Sequence, residues 1–187
     1  MKIGLLGGSF NPIHNSHLRI INDILKKSLV DEVWLIPCKK HAFNKELASA
    51  KDRIAMIKSA IKNIPDAKIC RIELKSKGKN YTIDTIIKLK KRYKDELFFV
   101  AGSDILCEIK KWRNYKRLLR EIEFIVLKRK NYKIKNVKGM RIKAIINANN
   151  NISSTGIRGR IKKGKSIKNL VPKDVEKFIK ERGLYEK

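Results

Sequence analysis

Lys2 to Leu6 is a short, mostly apolar run that stops at Gly7 and Gly8, after which Leu18, Ile21, Ile24, Leu25 and Leu29 return at three- and four-residue spacing. A run without a period, followed by one near the helical repeat, reads as strand, loop and helix. The unit recurs along the chain. Glu32 to Ile36 has strand character, and Ile54, Ile57, Lys58 and Ile61 lie in a helical stretch beyond a polar loop. A third strand is expected near Ile69 to Leu74, followed by a Gly-Lys-Asn turn and a helix carrying Ile83, Ile86, Ile87 and Leu89. Leu97 to Ala101 is apolar throughout, as a strand covered on both faces should be.

Past Gly102-Ser103-Asp104 come a helical segment through Trp112, a strand at Phe124 to Leu127, a basic loop from Lys128 to Lys138 and a last strand at Ile142 to Ile146. Asn147 to Asn151 reads as a loop, and two helices open near Ser154-Thr155 and Val171-Pro172, where proline suits a first turn. Alternating strands and helices predict an α/β fold. The expected form is a doubly wound, Rossmann-like parallel sheet with helices on both faces and a C-terminal helical segment. Ligands of such sheets sit at the carboxyl ends of the strands, so the loops after each strand are the places to look for function.

No composition break or linker divides the chain, so residues 1–187 are expected to form a single domain. Apolar runs fall far short of the roughly 20 residues that cross a bilayer. The start MKIGLLGGSF lacks the long apolar region of a secretory signal, and a cytoplasmic location is expected. Cys38, Cys70 and Cys107 form no CxxC pair, which favours buried, reduced thiols over a disulfide framework or a zinc site. The 46 Lys+Arg against 18 Asp+Glu give a net charge of +28, which raises the question of a polyanionic partner. Most of that excess is lysine on putative exposed helix faces, as at Lys26, Lys27, Lys88, Lys90, Lys91, Lys162 and Lys163. The aromatic interleaving of single-strand binders is missing, so a solvated surface is favoured over a nucleic-acid partner. Periodicity does not show whether copies of the chain associate.

Two segments carry residues suited to anions. Gly7 and Gly8 allow a sharp turn and close approach to a ligand, and a helix starting behind them would aim its N–H groups at a phosphate. His14 and His17, past Pro12, stand three residues apart and would share one side of that helix. GxGxxG does not occur, so the grip after the first strand is not an ordinary dinucleotide fingerprint. Far downstream, Ile152-Ser153-Ser154-Thr155-Gly156-Ile157-Arg158 supplies three hydroxyls, a helix start and a guanidinium. Each segment alone also reads blandly, as a glycine turn with surface histidines and as an N-cap with a surface arginine.

GGSFNPIHNSHL together with ISSTGIR resembles the nucleotidyltransferases with the HxGH signature, and specifically the nicotinate/nicotinamide mononucleotide adenylyltransferases. Asn80-Tyr81-Thr82-Ile83-Asp84-Thr85 is similar to that family's YTxDT segment. Gly102-Ser103-Asp104-Ile105-Leu106 with Trp112 is similar to its GxDxL…W segment. The resemblance spans nearly the whole chain and implies adenylyl transfer from ATP, with Mg²⁺, onto a pyridine mononucleotide in NAD synthesis.

On that resemblance, His14 and His17 contact ATP phosphates, and Ser153, Ser154, Thr155 and Arg158 hold the same phosphates from the other side. Gly8, Ser9 and Phe10 form the turn that meets the pyridine nucleotide by main chain, Thr82 and Thr85 lie beside the base, and Trp112 stacks on the pyridine ring. Gly102 and Asp104 meet the adenosine part, and Lys45 reaches a phosphate. Bland alternatives remain: Trp112 as core, Asp104 as a helix cap, Lys45 and His41 as solvated loop residues. No protein residue is assigned to metal. Asn11 stands where many bacterial relatives have Asp, and Ser16 where they have Gly, which leaves nicotinate and nicotinamide both open. A phosphopantetheine adenylyltransferase and a basic nucleic-acid-binding module are the more distant alternatives.

Overall fold

The computed structural model describes residues 1–39, 47–76, 78–129, 132, 134, 137–148 and 152–186. Six parallel strands are β1 (Lys2–Gly8), β2 (Glu32–Pro37), β3 (Ala67–Ile69), β4 (Glu96–Gly102), β5 (Glu123–Lys128) and β6 (Ile142–Asn147). They lie side by side in the order β3-β2-β1-β4-β5-β6. The chain thus winds outward from β1 in one direction, returns to β4 at β1's other side, and winds outward again. The direction reverses between β1 and β4, and in open α/β sheets such a reversal leaves a crevice at the carboxyl ends of the strands.

Side chains alternate between the two faces of each strand, and the two cores divide accordingly. Leu6, Val33, Leu35, Phe98, Val100, Ile125 and Leu127 face one core. Covering it are α1 (Asn15–Lys26), α2 (Ala50–Ile61), α6 (Ser154–Lys162) and α7 (Lys173–Glu181). Ile3, Leu5, Phe99, Ala101, Phe124 and Val126 face the other, beneath α3 (Thr82–Arg92), α4 (Ser103–Leu106) and α5 (Tyr115–Glu121). Ile20, Ile21 and Ile24 anchor α1, each burial contributing roughly 1.5–3 kcal/mol. Among the described residues no helix is long and apolar enough to cross a membrane.

Four sequence expectations need correction. The third strand lies at Ala67–Ile69, earlier than the Ile69 to Leu74 run suggested. Cys70 N–H donates to Leu35 O at 2.9 Å; Pro37, two residues on along β2, has no N–H to donate, and the chain turns, with Lys75 N–H on Arg71 O at 3.2 Å. The helical segment through Trp112 is divided. It comprises α4, a short 3-10 turn at Ile109–Lys111, and α5, which starts behind Asn114 in a left-handed conformation at φ 50. Asn147, expected in a loop, closes β6, and Pro172 caps α7 from outside its first turn.

Candidate active site

Both ends of the crevice are glycines held close to their neighbours. A Cβ on Gly8 would lie 3.2 Å from the Phe10 ring, and one on Gly102 only 2.2 Å from Asp104 Oδ1. After Gly8 the chain passes through Phe10 at φ 46, a left-handed conformation that costs a non-glycine residue on the order of 1–3 kcal/mol. Its neighbours' carbonyls are pinned by two guanidinium groups. Arg53 Nη1 donates to Ser9 O and Arg158 Nη1 to Asn11 O, each at 2.8 Å. Arg53 is 1% exposed and also donates through Nε to Ala48 O at 3.1 Å, so its charge rests on main-chain oxygens. The Phe10 ring is buried core, which leaves main-chain atoms as its means of meeting a ligand.

His14 is the N-cap of α1 and His17 occupies its first turn; their rings stack at 3.7 Å. His14 N–H donates to His17 Nδ1 at 3.2 Å. A neutral His17 accepting at Nδ1 must carry its proton on Nε2, which makes that atom a donor. Burial and, secondarily, the Arg129 charge push His14 down to about 4. Burial, then His14 and Arg129, hold His17 well below the usual imidazole range. Both imidazoles are therefore neutral near pH 7 in the free protein. The helix end is less open than the sequence suggested. Asn15 N–H donates to Leu170 O at 3.0 Å, and His17 N–H to His14 O at 2.8 Å.

The downstream segment locks onto the first one. Ser153 caps α6 by accepting from Gly156 N–H at 3.1 Å, Ser154 Oγ donates to Pro12 O at 2.9 Å, and Arg158 Nη2 reaches Thr155 Oγ1 at 3.4 Å. Residues 142 to 147 positions apart thus form one wall. Opposite, Asp104 Oδ2 pairs with Arg129 Nη1 at 3.1 Å, while Arg129 N–H donates to Ser103 Oγ at 3.0 Å. Among the described residues, the buried side-chain polar atoms without a hydrogen-bond partner are His14 Nδ1, Ser16 Oγ and Asp104 Oδ1. All belong to the segments at the ends of β1 and β4.

Thr82 and Thr85 open α3. Thr82 is half-buried; Thr85 is buried, and its hydroxyl donates to Glu73 Oε1 at 2.9 Å. Burial raises the Glu73 carboxyl above its ordinary range, against the lowering effect of that hydroxyl. Trp112 is half-buried and meets the edge of Phe99 with ring centroids 6.1 Å apart. Its neighbour Arg113 lies over Tyr81 at 4.5 Å, which ties the Trp112 turn to the start of α3. Lys45 and His41 lie outside the described residues. A groove of about 760 Å³ beside α7, lined by Asn15, Lys168, Asn169, Pro172 and Lys173, contains none of the expected site residues.

Sequence reasoning missed Arg53, Arg129, Glu73 and Tyr185. Arg53 left a signal, since it stands four and eight residues before Ile57 and Ile61 on the buried face of α2. Arg129 had none, because it sits in a run of basic residues. Among the described residues no three His, Cys, Asp or Glu side chains gather as a metal site.

Residues 5–160 match the cytidylyltransferase-like family. A probable nicotinate-nucleotide adenylyltransferase of Halalkalibacterium halodurans is 40% identical, over 98% of this chain and 91% of that relative. The nicotinate-nucleotide adenylyltransferase of Bacillus subtilis is 36% identical, over 99% and 98%. The chain belongs to the nicotinate-nucleotide adenylyltransferase family. Among solved structures, Plasmodium falciparum nicotinic acid mononucleotide adenylyltransferase complexed with NaAD is 26% identical, with a TM-score of 0.85 over 99% of this chain and 97% of that one. The same enzyme complexed with APC gives 0.84. Within this adenylyltransferase family the doubly wound sheet is the shared frame, and the crevice at β1 and β4 is where its strand order reverses.

Proposed function

We propose that this chain moves the adenylyl group of ATP onto nicotinate mononucleotide, giving the dinucleotide and pyrophosphate in NAD synthesis. The observation that carries the reading is the wall at the ends of β1 and β4, where Ser154 and Arg158 of the ISSTGIR helix bond the carbonyls of Pro12 and Asn11, just ahead of His14, with Asp104 on the β4 side. Full-length similarity to relatives named for this activity supports it.

In the reaction, an oxygen of the mononucleotide phosphate attacks the α-phosphorus of ATP. The new P–O bond forms as the bond to the β-phosphate bridge breaks, and pyrophosphate leaves with the electron pair. The attacking phosphate is deprotonated near neutral pH, so no general base is required; positioning and charge stabilisation supply the rate. His17 donates from Nε2 to an ATP phosphate oxygen, and the gathering negative charge favours its protonation as charge builds. His14, Arg158 and the Ser153, Ser154 and Thr155 hydroxyls hold the same phosphates. Arg129, whose charge both histidines feel, adds a cation beside them. Asp104 accepts from the adenosine ribose; Ser9 and Phe10 meet the mononucleotide by main chain; Thr82 and Trp112 border its ring; Lys45 reaches a phosphate. Mg²⁺ comes with ATP and neutralises its phosphates.

One observation bears on acid against amide. Asn11 is 1% exposed, and its side-chain oxygen accepts from Ala48 N–H at 3.0 Å and the Tyr185 hydroxyl at 2.8 Å. Its difference from Asp thus lies in the frame, where a carboxylate would accept the same two bonds, and gives no ground for preferring the amide. The test is pyrophosphate release with ATP and nicotinate mononucleotide, nicotinamide mononucleotide or phosphopantetheine offered separately. Turnover is expected with the first; its absence there would overturn the choice of acceptor, and its absence with both pyridine nucleotides would overturn adenylyl transfer to a pyridine mononucleotide altogether.

A further inference from the structure

The residues beyond α7 reach the mononucleotide side of the crevice. The Tyr185 hydroxyl and the Ala48 N–H both donate to Asn11 Oδ1, at 2.8 and 3.0 Å. One oxygen therefore joins the turn after β1, the run into α2 and the C-terminal tail. Arg53 makes a parallel tie between Ser9 O and Ala48 O. A second clasp from the same tail pairs Arg182 Nη2 with Asp52 Oδ1 at 3.2 Å, and Asp52 Oδ2 accepts from the Ser49 hydroxyl that caps α2.

Between the carbonyls held by Arg53 and Arg158 stands Phe10 at φ 46, a backbone state that persists only where its surroundings over-determine it. Tyr185 is itself left-handed, at φ 71. Burial keeps its hydroxyl protonated, against the pull of the nearby Arg158 and Arg53 charges. The bond to Asn11 thus has a committed donor on one side and, on the other, an amide oxygen that only accepts.

We infer that Tyr185 is a positioning residue for the pyridine mononucleotide. By holding Asn11 it fixes the main-chain atoms of Ser9 and Phe10 in the orientation that receives this substrate. The inference rests on the reading of nicotinate mononucleotide as acceptor. It predicts a split that a merely structural role would not give, because the tail acts on the mononucleotide turn and leaves the Asp104 side alone.

Wild type, Tyr185→Phe, Asn11→Ala and the double variant are compared by pyrophosphate release. Tyr185→Phe keeps the ring and loses the bond; it is expected to raise the mononucleotide KM about fivefold and to leave kcat and the ATP KM within about twofold. The double variant is expected to be no worse than Asn11→Ala alone, since residues acting through one bond are not additive. An unchanged mononucleotide KM, or full additivity, would overturn the inference. Amide hydrogen exchange over residues 8–13 reads the clasp without substrate. Faster exchange there in Tyr185→Phe, with β4 unchanged, is expected, and equal exchange overturns it. If wild type fails to turn over nicotinate mononucleotide, the acceptor assignment falls, and the exchange result alone decides whether the tail holds the turn.

Discussion

Replacing Gly102 by alanine separates binding of the adenosine end from stability of the fold. The added Cβ would stand 2.2 Å from Asp104 Oδ1 and 3.1 Å from Arg129 Nε, with both of those contacts on side chains. Carbon contacts are comfortable near 3.5 Å, so the Asp104 carboxylate must swing away by more than about 1 Å. Because a short side chain can rotate where backbone cannot, the fold loses little, about 1 kcal/mol. The ligand loses more. A hydrogen bond to a charged group contributes about 1.5–3 kcal/mol, and losing about 2 kcal/mol weakens binding about 30-fold. Initial rates of pyrophosphate release at varied ATP, with nicotinate mononucleotide saturating, should show the ATP KM rising by about that factor, while the mononucleotide KM stays within about twofold. A thermal melt on the same preparation should stay near wild type. An unchanged ATP KM would refute the placement of the adenosine ribose at Asp104. A collapsed melt would refute the claim that only side chains need move.

His17→Ala is expected to lower kcat by about 10²–10³ with little change in mononucleotide KM; steady-state kinetics showing normal turnover would remove its role as charge stabiliser. Because His14 is pushed down to about 4 from 6.5, the unfolded chain binds the His14 proton more tightly than the folded one. His14's contribution to stability is therefore fully present above about pH 6.5 and is lost as pH falls toward 4. Denaturant titrations across that window should show a slope that His14→Gln flattens, and equal slopes would contradict the buried neutral imidazole. Ser16→Ala removes a buried hydroxyl without a partner and should raise stability by about 1 kcal/mol; a loss in the melt would mean that the hydroxyl is satisfied after all.

Much of the frame was legible because parallel strands covered on both faces are apolar throughout, as Leu97 to Ala101 is, and because α1 and α3 repeat their apolar residues at helical spacing. The third strand was misplaced because the alternation in Arg71-Ile72-Glu73-Leu74 continues past the point where β2 has bonds to give; strand pairing depends on a neighbour, which local pattern does not contain. At the site, the expected residues of the HNSH turn and the ISSTGIR helix were readable from residue type and order. Their mutual ties were not: Ser154 on Pro12 O and Arg158 on Asn11 O are side chain to main chain bonds, and a carbonyl looks alike at every position of a sequence. The neutrality of the histidines was hidden for a related reason, since it comes from burial and from Arg129, which lies more than a hundred residues downstream. Arg53 stood on an apolar stripe and left a trace; Tyr185, a single aromatic in a charged tail, left little.

The wall shared by Pro12 and Ser154 also bears on how the protein comes apart. A nucleotide held between the first turn and the α6 helix touches segments from opposite ends of the chain, and either one peeling away would release it. Bound ATP should then oppose every partial opening that frees α6 or the tail, as well as complete unfolding, and regions that fray in the free protein would be drawn into a single cooperative unit with the sheet.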